Sequence, residues 1–350
     1  MFLRYIHNFR AIAILIIVAG HCTWSLNWSN YQYPFLTRIF MICFLNGTVL
    51  FVFIAGFLFQ HLSSHFVFKQ YFRKKLKFVI LPYIFFSIPA IAVKLSLSTS
   101  IPVKNPGFFS GIFADWPSIV NLLFILKKFG LYIITGDSLT PFWFIPMISI
   151  FFLMAPILIF LDRGQKIYWF LPLFIAVSIF IPRPVETTNI LQSFPHFFSI
   201  YLFGMFTSRY KEKIITTMEK FWICMCFGIM AMIILEVFFP GSQPGYSPYN
   251  FLQKMLLSML LVYWLWRIDI VIPKRINFLG DNVANLSFGI YFLHYYFLYV
   301  LLETPWCNSF FEGSGISLIV VFIGITVLSI VSLQIAKTFL RNKSRIFLGC

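Results

Sequence analysis

Two ionisable side chains interrupt the apolar stretch NFRAIAILIIVAGHC, Asn8 to Cys22. They are Arg10 and His21, with only Ala, Ile, Leu, Val and one Gly between them. Such groups are costly inside an apolar segment, which makes them the first candidates for function. In a helix, eleven residues make three turns plus about 20° and rise about 16 Å, so the two share one face at different depths. Taken singly, an Arg at a helix end also snorkels and helps set topology, and a His in an apolar helix also serves as an interhelical hydrogen bonder. Taken together they describe a path. A guanidinium at the mouth can clamp phosphate oxygens. An imidazole deep inside, with an unperturbed pKa near 6.5, can take a proton from an attacking hydroxyl and return it to a leaving group.

Other residues extend this constellation. The segment KQYFRKKLK, Lys69 to Lys77, reads as a basic loop. Arg73, Lys74 and Lys75 form either a phosphate-binding rim beside Arg10 or an anchor for anionic lipid. In LSFGIYFLHYYF, Ser287, Tyr291 and His294 fall at i, i+4 and i+7 and share a helical face. That face is either a structural hydrogen-bond network or the lining of the path. Trp143 in TPFWFIPM stands at a helix entrance, where it orients a substrate or anchors the helix at the membrane interface. Glu236 and His196 are weaker candidates. The histidines do not cluster with carboxylates at ligand spacing, so no metal site is expected. No Walker loop and no GxSxG elbow is present, which leaves an ATP-driven pump unsupported.

The elements that must position these groups are membrane helices. The 350-residue chain is 60% hydrophobic and 11% charged, with mean hydropathy +0.86. A soluble domain would be about a quarter charged. The apolar residues come in long runs without the alternation of barrel strands. The expected fold is therefore an all-α polytopic membrane protein, one domain over 1–350. About ten spans are read: Phe9–Leu26, Arg38–Gln60, Phe78–Leu97, Phe142–Leu161, Ile167–Ile181, Phe194–Thr207, Phe221–Phe239, Phe251–Trp266, Val283–Leu302 and Gly315–Ala336. With the N-terminus inside, 20 of the 27 Lys and Arg fall on the inner side, so both termini are expected in the cytoplasm. This placement reads the net charge of +16 as topology, and no nucleic-acid partner is expected.

No small-x-small cleavage site follows the first helix before Trp24, so it is expected to be retained. The six cysteines are scattered, Cys307 in an outer loop and Cys350 at the tail among them, and show no disulfide framework. The outer segment from Ser98 to Pro141 holds SIVNLLFILKKFGLYII, which Lys127 and Lys128 mark as an interfacial or re-entrant helix. PGSQPGYSPYN, Pro240 to Asn250, reads as a turn-rich outer loop.

Five of these segments, in this order and spread along most of the chain, resemble the acyltransferase-3 family of integral-membrane O-acyltransferases. FRAIAILIIVAGH is similar to that family's opening helix, an Arg, ten residues and a His. NGTVLFVFIAGFLF resembles its second helix, with Ala55 where a Ser is usual. YFRKKLKFVILPY resembles its basic loop, PFWFIPMISIFFLMAPIL its Trp-Phe span, and LSFGIYFLHYYFLY its late Tyr-x-x-His helix. His7 stands where the family often has Asp, and Lys74 and Lys75 where it is often richer in Arg.

The resemblance implies transfer of an acyl group, usually acetyl, from cytosolic acyl-CoA to a hydroxyl of a cell-surface or lipid-linked glycan. Acyl-CoA is then a co-substrate, and no cofactor is permanently bound. Arg10, Arg73, Lys74 and Lys75 would bind the donor, His21 would be catalytic as a general base or a transient acyl carrier, and Trp143, Tyr291 and His294 would bind or orient substrate. The expected location is the bacterial cytoplasmic membrane, in contact with lipid, within polysaccharide or lipopolysaccharide biosynthesis. A flippase for a lipid-linked glycan is the alternative. It would line a similar path but need no acyl-CoA. A scaffold in a polysaccharide assembly complex would tolerate loss of both Arg10 and His21.

Overall fold

The computed structural model describes residues 3–25, 34–98, 116–184, 189–239, 245–269, 271, 274–302 and 315–350, and among them there are helices and turns and no strand. Cys307 and parts of the segments Ser98–Pro141 and Pro240–Asn250 lie outside the described residues. The helices are α1 (Arg4–Ser25), α2 (Pro34–Phe44), α3 (Thr48–His61), α4 (Phe68–Lys75), α5 (Leu81–Ser98), α6 (Trp116–Thr135), α7 (Phe144–Leu153), α8 (Ala155–Gly164) and α9 (Leu171–Phe180). They continue as α10 (Ile190–Arg209), α11 (Lys211–Phe238), α12 (Pro248–Asp269), α13 (Lys274–Leu302), α14 (Gly315–Leu340) and the short α15 (Ser344–Phe347).

Among the described residues, seven helical segments are long and apolar enough to cross a membrane, or eight if the pair α7 and α8 is one span bent by 58°. The chain is thus a multi-pass membrane protein with fewer qualifying spans than the ten expected. The two that fall short are both helices. The segment at Ile167–Ile181 is a 3-10 turn followed by the ten-residue α9, too short to cross alone. The segment at Phe194–Thr207 lies in α10, whose buried face carries Ser193, His196, Ser199, Thr207 and Ser208 and lowers its hydropathy. The bend between α7 and α8 follows from Pro156, which offers no N–H to the preceding turn. KQYFRKKLK is not a loop. It forms α4 and runs through a π-turn, Leu76–Ile80, directly into α5.

Helix α1 lies at the centre, packed on α13, α12, α14, α2 and α3. Successive contacts fix α1 parallel to α13: His7 with Asp281 at 3.4 Å, Arg10 with Ser287 at 3.0 Å, and the rings of His21 and His294 5.2 Å apart. Helices α3 and α10 touch backbone to backbone, because Gly56 and Gly204 face each other. A Cβ on Gly56 would come within 2.0 Å of the Tyr201 carbonyl oxygen, and one on Gly204 within 2.2 Å of that of Phe53. Small residues permit this approach where lipid supplies no hydrophobic drive for association. Helix α11 sits at the other extreme, with Phe227 and Phe238 exposed as a lipid-facing surface.

The expected span Arg38–Gln60 is broken at Leu45–Gly47, where Asn46 adopts φ +60°. A break at this depth frees backbone carbonyls that lipid cannot satisfy. The buried Lys254 of α12 donates its ammonium to Ile42 O at 3.3 Å and to Cys43 O. Asn250 Nδ2 donates to Ile42 O at 2.9 Å and to Glu236 Oε2 at 3.1 Å, so the buried carboxylate of Glu236 lies one residue away from the Lys254 charge. The broken helix is therefore held open by a polar cluster from α11 and α12.

Candidate functional site

Two polar cavities lie along α1, one at each end of the Arg10–His21 face. The first, about 530 Å³, is lined by Arg10, Asn282, Asn285, Gln334, Lys337 and Arg345, among others. No Asp or Glu lines it, so it gathers positive charge in a confined space, the electrostatic footprint of an anion site. Arg10 Nη2 donates to Ser287 Oγ at 3.0 Å, which in turn donates to Ala284 O at 2.8 Å. That chain fixes the guanidinium from α13. Arg345, on α15, lays its guanidinium over the Phe78 ring at 4.5 Å.

The second cavity, about 260 Å³, is lined by His21, Asn46, Thr140, Trp143, Arg183 and Tyr291, among others. Gly20 of α1 allows the His21 turn to sit against the α2–α3 break, since a Cβ there would lie 2.7 Å from Phe44 O. His21 is ringed by aromatics: the Tyr295 ring meets it edge-on at 5.4 Å, and the His294 ring at 5.2 Å. His294 Nδ1 lies 2.9 Å from Ile290 O. A carbonyl only accepts, so Nδ1 carries the hydrogen, and Nε2 of the neutral ring is an acceptor. That Nε2 is buried without a hydrogen-bond partner. Asn46 Oδ1 is likewise buried and unpartnered.

Between the cavities, at the level of Ile17 and Phe288, lies a small apolar void of about 10 Å³, walled by Ile17, Thr48, Phe51, Phe144, Phe288 and Tyr291. Ile17, Thr48 and Tyr291 also line the His21 cavity. At the opposite end, Gly349 lines the Arg10 cavity and presses on the Phe288 ring, which a Cβ there would meet at 2.4 Å. A basic cavity, a small apolar void and an imidazole therefore follow one another along α1, with the Phe288 ring between the void and Gly349 of the basic cavity.

The structure brings His21, Trp143, Tyr291 and His294 together, and places Arg10 in the basic cavity. The hydroxyl of Tyr291 donates to Pro141 O, so it ties down the loop before α7. Of the basic cluster, Lys75 turns inward, over the rings of Phe152 at 4.7 Å and Tyr71 at 5.3 Å and within electrostatic range of Arg10. Arg73 and Lys74 are exposed and do not line the Arg10 cavity. The predicted face of α13 divides its duties: Ser287 serves Arg10, and Tyr291 and His294 stand by His21.

Sequence reasoning missed Arg183, Arg345, Lys337, Asn46 and Lys254. Lys254 carried a usable signal, a charge inside the expected apolar span Phe251–Trp266. The others are brought in by tertiary contacts that no spacing announces. Glu236 and His196 act as structural anchors. His196 Nδ1 lies 2.9 Å from Ile181 O and 3.0 Å from Ser178 O, pinning the end of α9.

A family model described as an acyltransferase domain matches residues 3–334 of this chain. Comparison with curated proteins gave no significant match, and comparison with solved structures gave none either.

Proposed function

Since the chain belongs to the acyltransferase 3 family of membrane acyltransferases, we propose that it moves an acyl group, acetyl in the first instance, from cytosolic acyl-CoA to a hydroxyl of a cell-surface or lipid-linked glycan. The observation that carries this reading is the order along α1 of a basic cavity, a small apolar neck and the His21 cavity. A donor with a phosphorylated head and a long thin arm ending in a thioester fits that order. Its phosphates go to Arg10, Lys337 and Arg345, with Lys75 behind them, and its arm to the neck past Phe288 and Ile17. Arg73 and Lys74 contribute at the exposed rim. The excess of basic residues at loops on the Arg10 side supports a cytosolic placement of that cavity, and with it both termini, in a bacterial inner membrane.

The thioester carbonyl then lies beside His21. The acceptor oxygen attacks that carbon as His21 takes the hydroxyl proton. The C–S bond breaks, and the proton returns to the departing thiolate, which leaves as CoA thiol. His294 Nε2 offers an acceptor for an N–H of His21, which would hold one tautomer, with the opposite nitrogen as base. Trp143 and Tyr291 shape the acceptor side. Attack by His21 itself, through an acyl-imidazole, uses the same atoms in two steps.

The test is His21→Ala in protein whose membrane expression matches the wild type, followed by transfer of labelled acetyl from acetyl-CoA to surface glycan. The reading expects incorporation to fall to background. Undiminished incorporation removes His21 from the chemistry, and purified wild-type protein that moves glycan without consuming acetyl-CoA replaces transfer with transport.

A further inference from the structure

The outer edge of the His21 cavity carries a group that the transfer reaction as drawn does not use. The guanidinium of Arg183 lies 4.5 Å over the Trp143 ring and 5.0 Å over that of Tyr246. Trp143 is itself stacked on Phe197 at 5.8 Å. The cation therefore lies within cation–π range of two rings, one of them backed by Phe197. Two aromatic rings hold the guanidinium in place, and its N–H donors are the groups that can meet a ligand. A planar fork of that kind matches a carboxylate or a phosphate.

The arrangement is held from both sides by buried polar groups. His196 pins the carbonyl of Ile181, two residues before Arg183. Glu236 Oε1 accepts from the backbone N–H of Gly245 at 2.8 Å, one residue before Tyr246. Neither anchor touches the cavity, and their combined effect is to fix the cation and its covering ring. Among the described residues no carboxylate lies within ion-pair distance of Arg183. The other charged group lining this cavity, Asp137, is engaged by Lys94, whose ammonium donates to its carbonyl and lies 3.5 Å from Oδ1. Among the described residues, the cavity therefore keeps a cation without an ion pair beside the imidazole.

We infer that Arg183 forms an anion-recognition subsite of the acceptor cavity, so that the hydroxyl compound presented to His21 carries a carboxylate or phosphate close to its reacting hydroxyl. This rests on the acyl-transfer reading for what happens next, but the subsite binds without turnover. Asn46 Oδ1, buried in the same cavity without a partner, is placed to accept from a neighbouring hydroxyl of such a ligand.

The experiment measures binding of three probes to the full chain in nanodiscs by titration calorimetry: methyl glucuronoside, methyl glucoside and glucose 1-phosphate. At least one of the two anionic probes is expected to bind ten times or more tighter than the glucoside. Arg183→Gln should reduce that preference to about one, and Arg183→Lys should restore part of it. Preference for the glucuronoside assigns the charge to a sugar acid, and preference for the phosphate assigns it to a phosphorylated or lipid-linked sugar. Unchanged preference in Arg183→Gln, with a wild-type unfolding midpoint, overturns the inference, as does a wild type that binds all three probes alike. Acetyl-CoA is titrated into the same preparations. Failure to bind it refutes the acyl-transfer reading and leaves the anion preference to be judged on its own.

Discussion

Replacing Lys254 by Met probes the polar cluster that holds the α2–α3 break. Met matches the length of the lysine stem but brings no donor. Cys43 O then loses its hydrogen-bond partner, and Ile42 O keeps only Asn250 Nδ2. An orphaned buried carbonyl costs about 1–3 kcal/mol. The carboxylate of Glu236 also loses the nearest buried positive charge, and breaking one side of a buried charge pair costs about 3–5 kcal/mol. Glu236 is relieved in part by Gly245 N–H and Asn250, and its pairing with Lys254 is indirect, so these figures overlap. The expected loss is about 3–4 kcal/mol, or more than two orders of magnitude in the folding equilibrium constant. The assay is thermal unfolding of detergent-purified protein followed by fluorescence size-exclusion chromatography, with reversible unfolding in mixed micelles for the free energy. Lys254→Met combined with Glu236→Gln should recover about 1–2 kcal/mol, because the second change removes the stranded charge. A single variant within about 0.5 kcal/mol of wild type refutes the reasoning. So would a double variant that loses the sum of the two single effects.

Two further expectations concern the basic cavity, under the proposed reading, and the helix pair α3 and α10. Arg345→Gln should raise the KM for acetyl-CoA roughly tenfold to a hundredfold with kcat little changed, the value of one charge-assisted phosphate contact; steady-state kinetics against donor concentration decide it, and Arg73→Gln should do less. Gly56→Ala should cost about 3 kcal/mol, the upper end of overpacking, because its methyl group meets the Tyr201 carbonyl and not a movable side chain; the unfolding midpoint and yield of monodisperse protein report it.

Where a motif lay within one helix, it was readable. Arg10 and His21 share a face because helical rotation nearly closes after eleven residues, and Ser287, Tyr291 and His294 align for the same reason. The break at Asn46 left no comparable mark, because NGT in an apolar run looks like a tolerated polar patch until the partners of the freed carbonyls are known. The basic stretch Lys69–Lys77 was read as a loop from its charge. Its long side chains instead leave the membrane from a continuous helix, where Lys75 points in and Arg73 and Lys74 point out. The short α9 and the polar α10 were counted as spans from their apolar content alone. Arg183 and Arg345 lie 162 and 335 residues from His21 and Arg10, and only tertiary packing joins them.

The neck between the cavities has an electrical consequence. About 10 Å³ is near the least space that holds one water molecule, and its walls are Phe, Ile, Thr and Tyr. In the proposed reading the two cavities open to opposite sides of the membrane, so the transmembrane voltage falls across the thin apolar layer at Ile17 and Phe288. An elementary charge crossing it does work of about 2.3 kcal/mol per 100 mV. In that reading a neutral thioester arm crosses at no such cost, whereas hydronium, sodium and the donor's phosphates are held back. In that reading the layer that admits an acyl chain also insulates the membrane against leak.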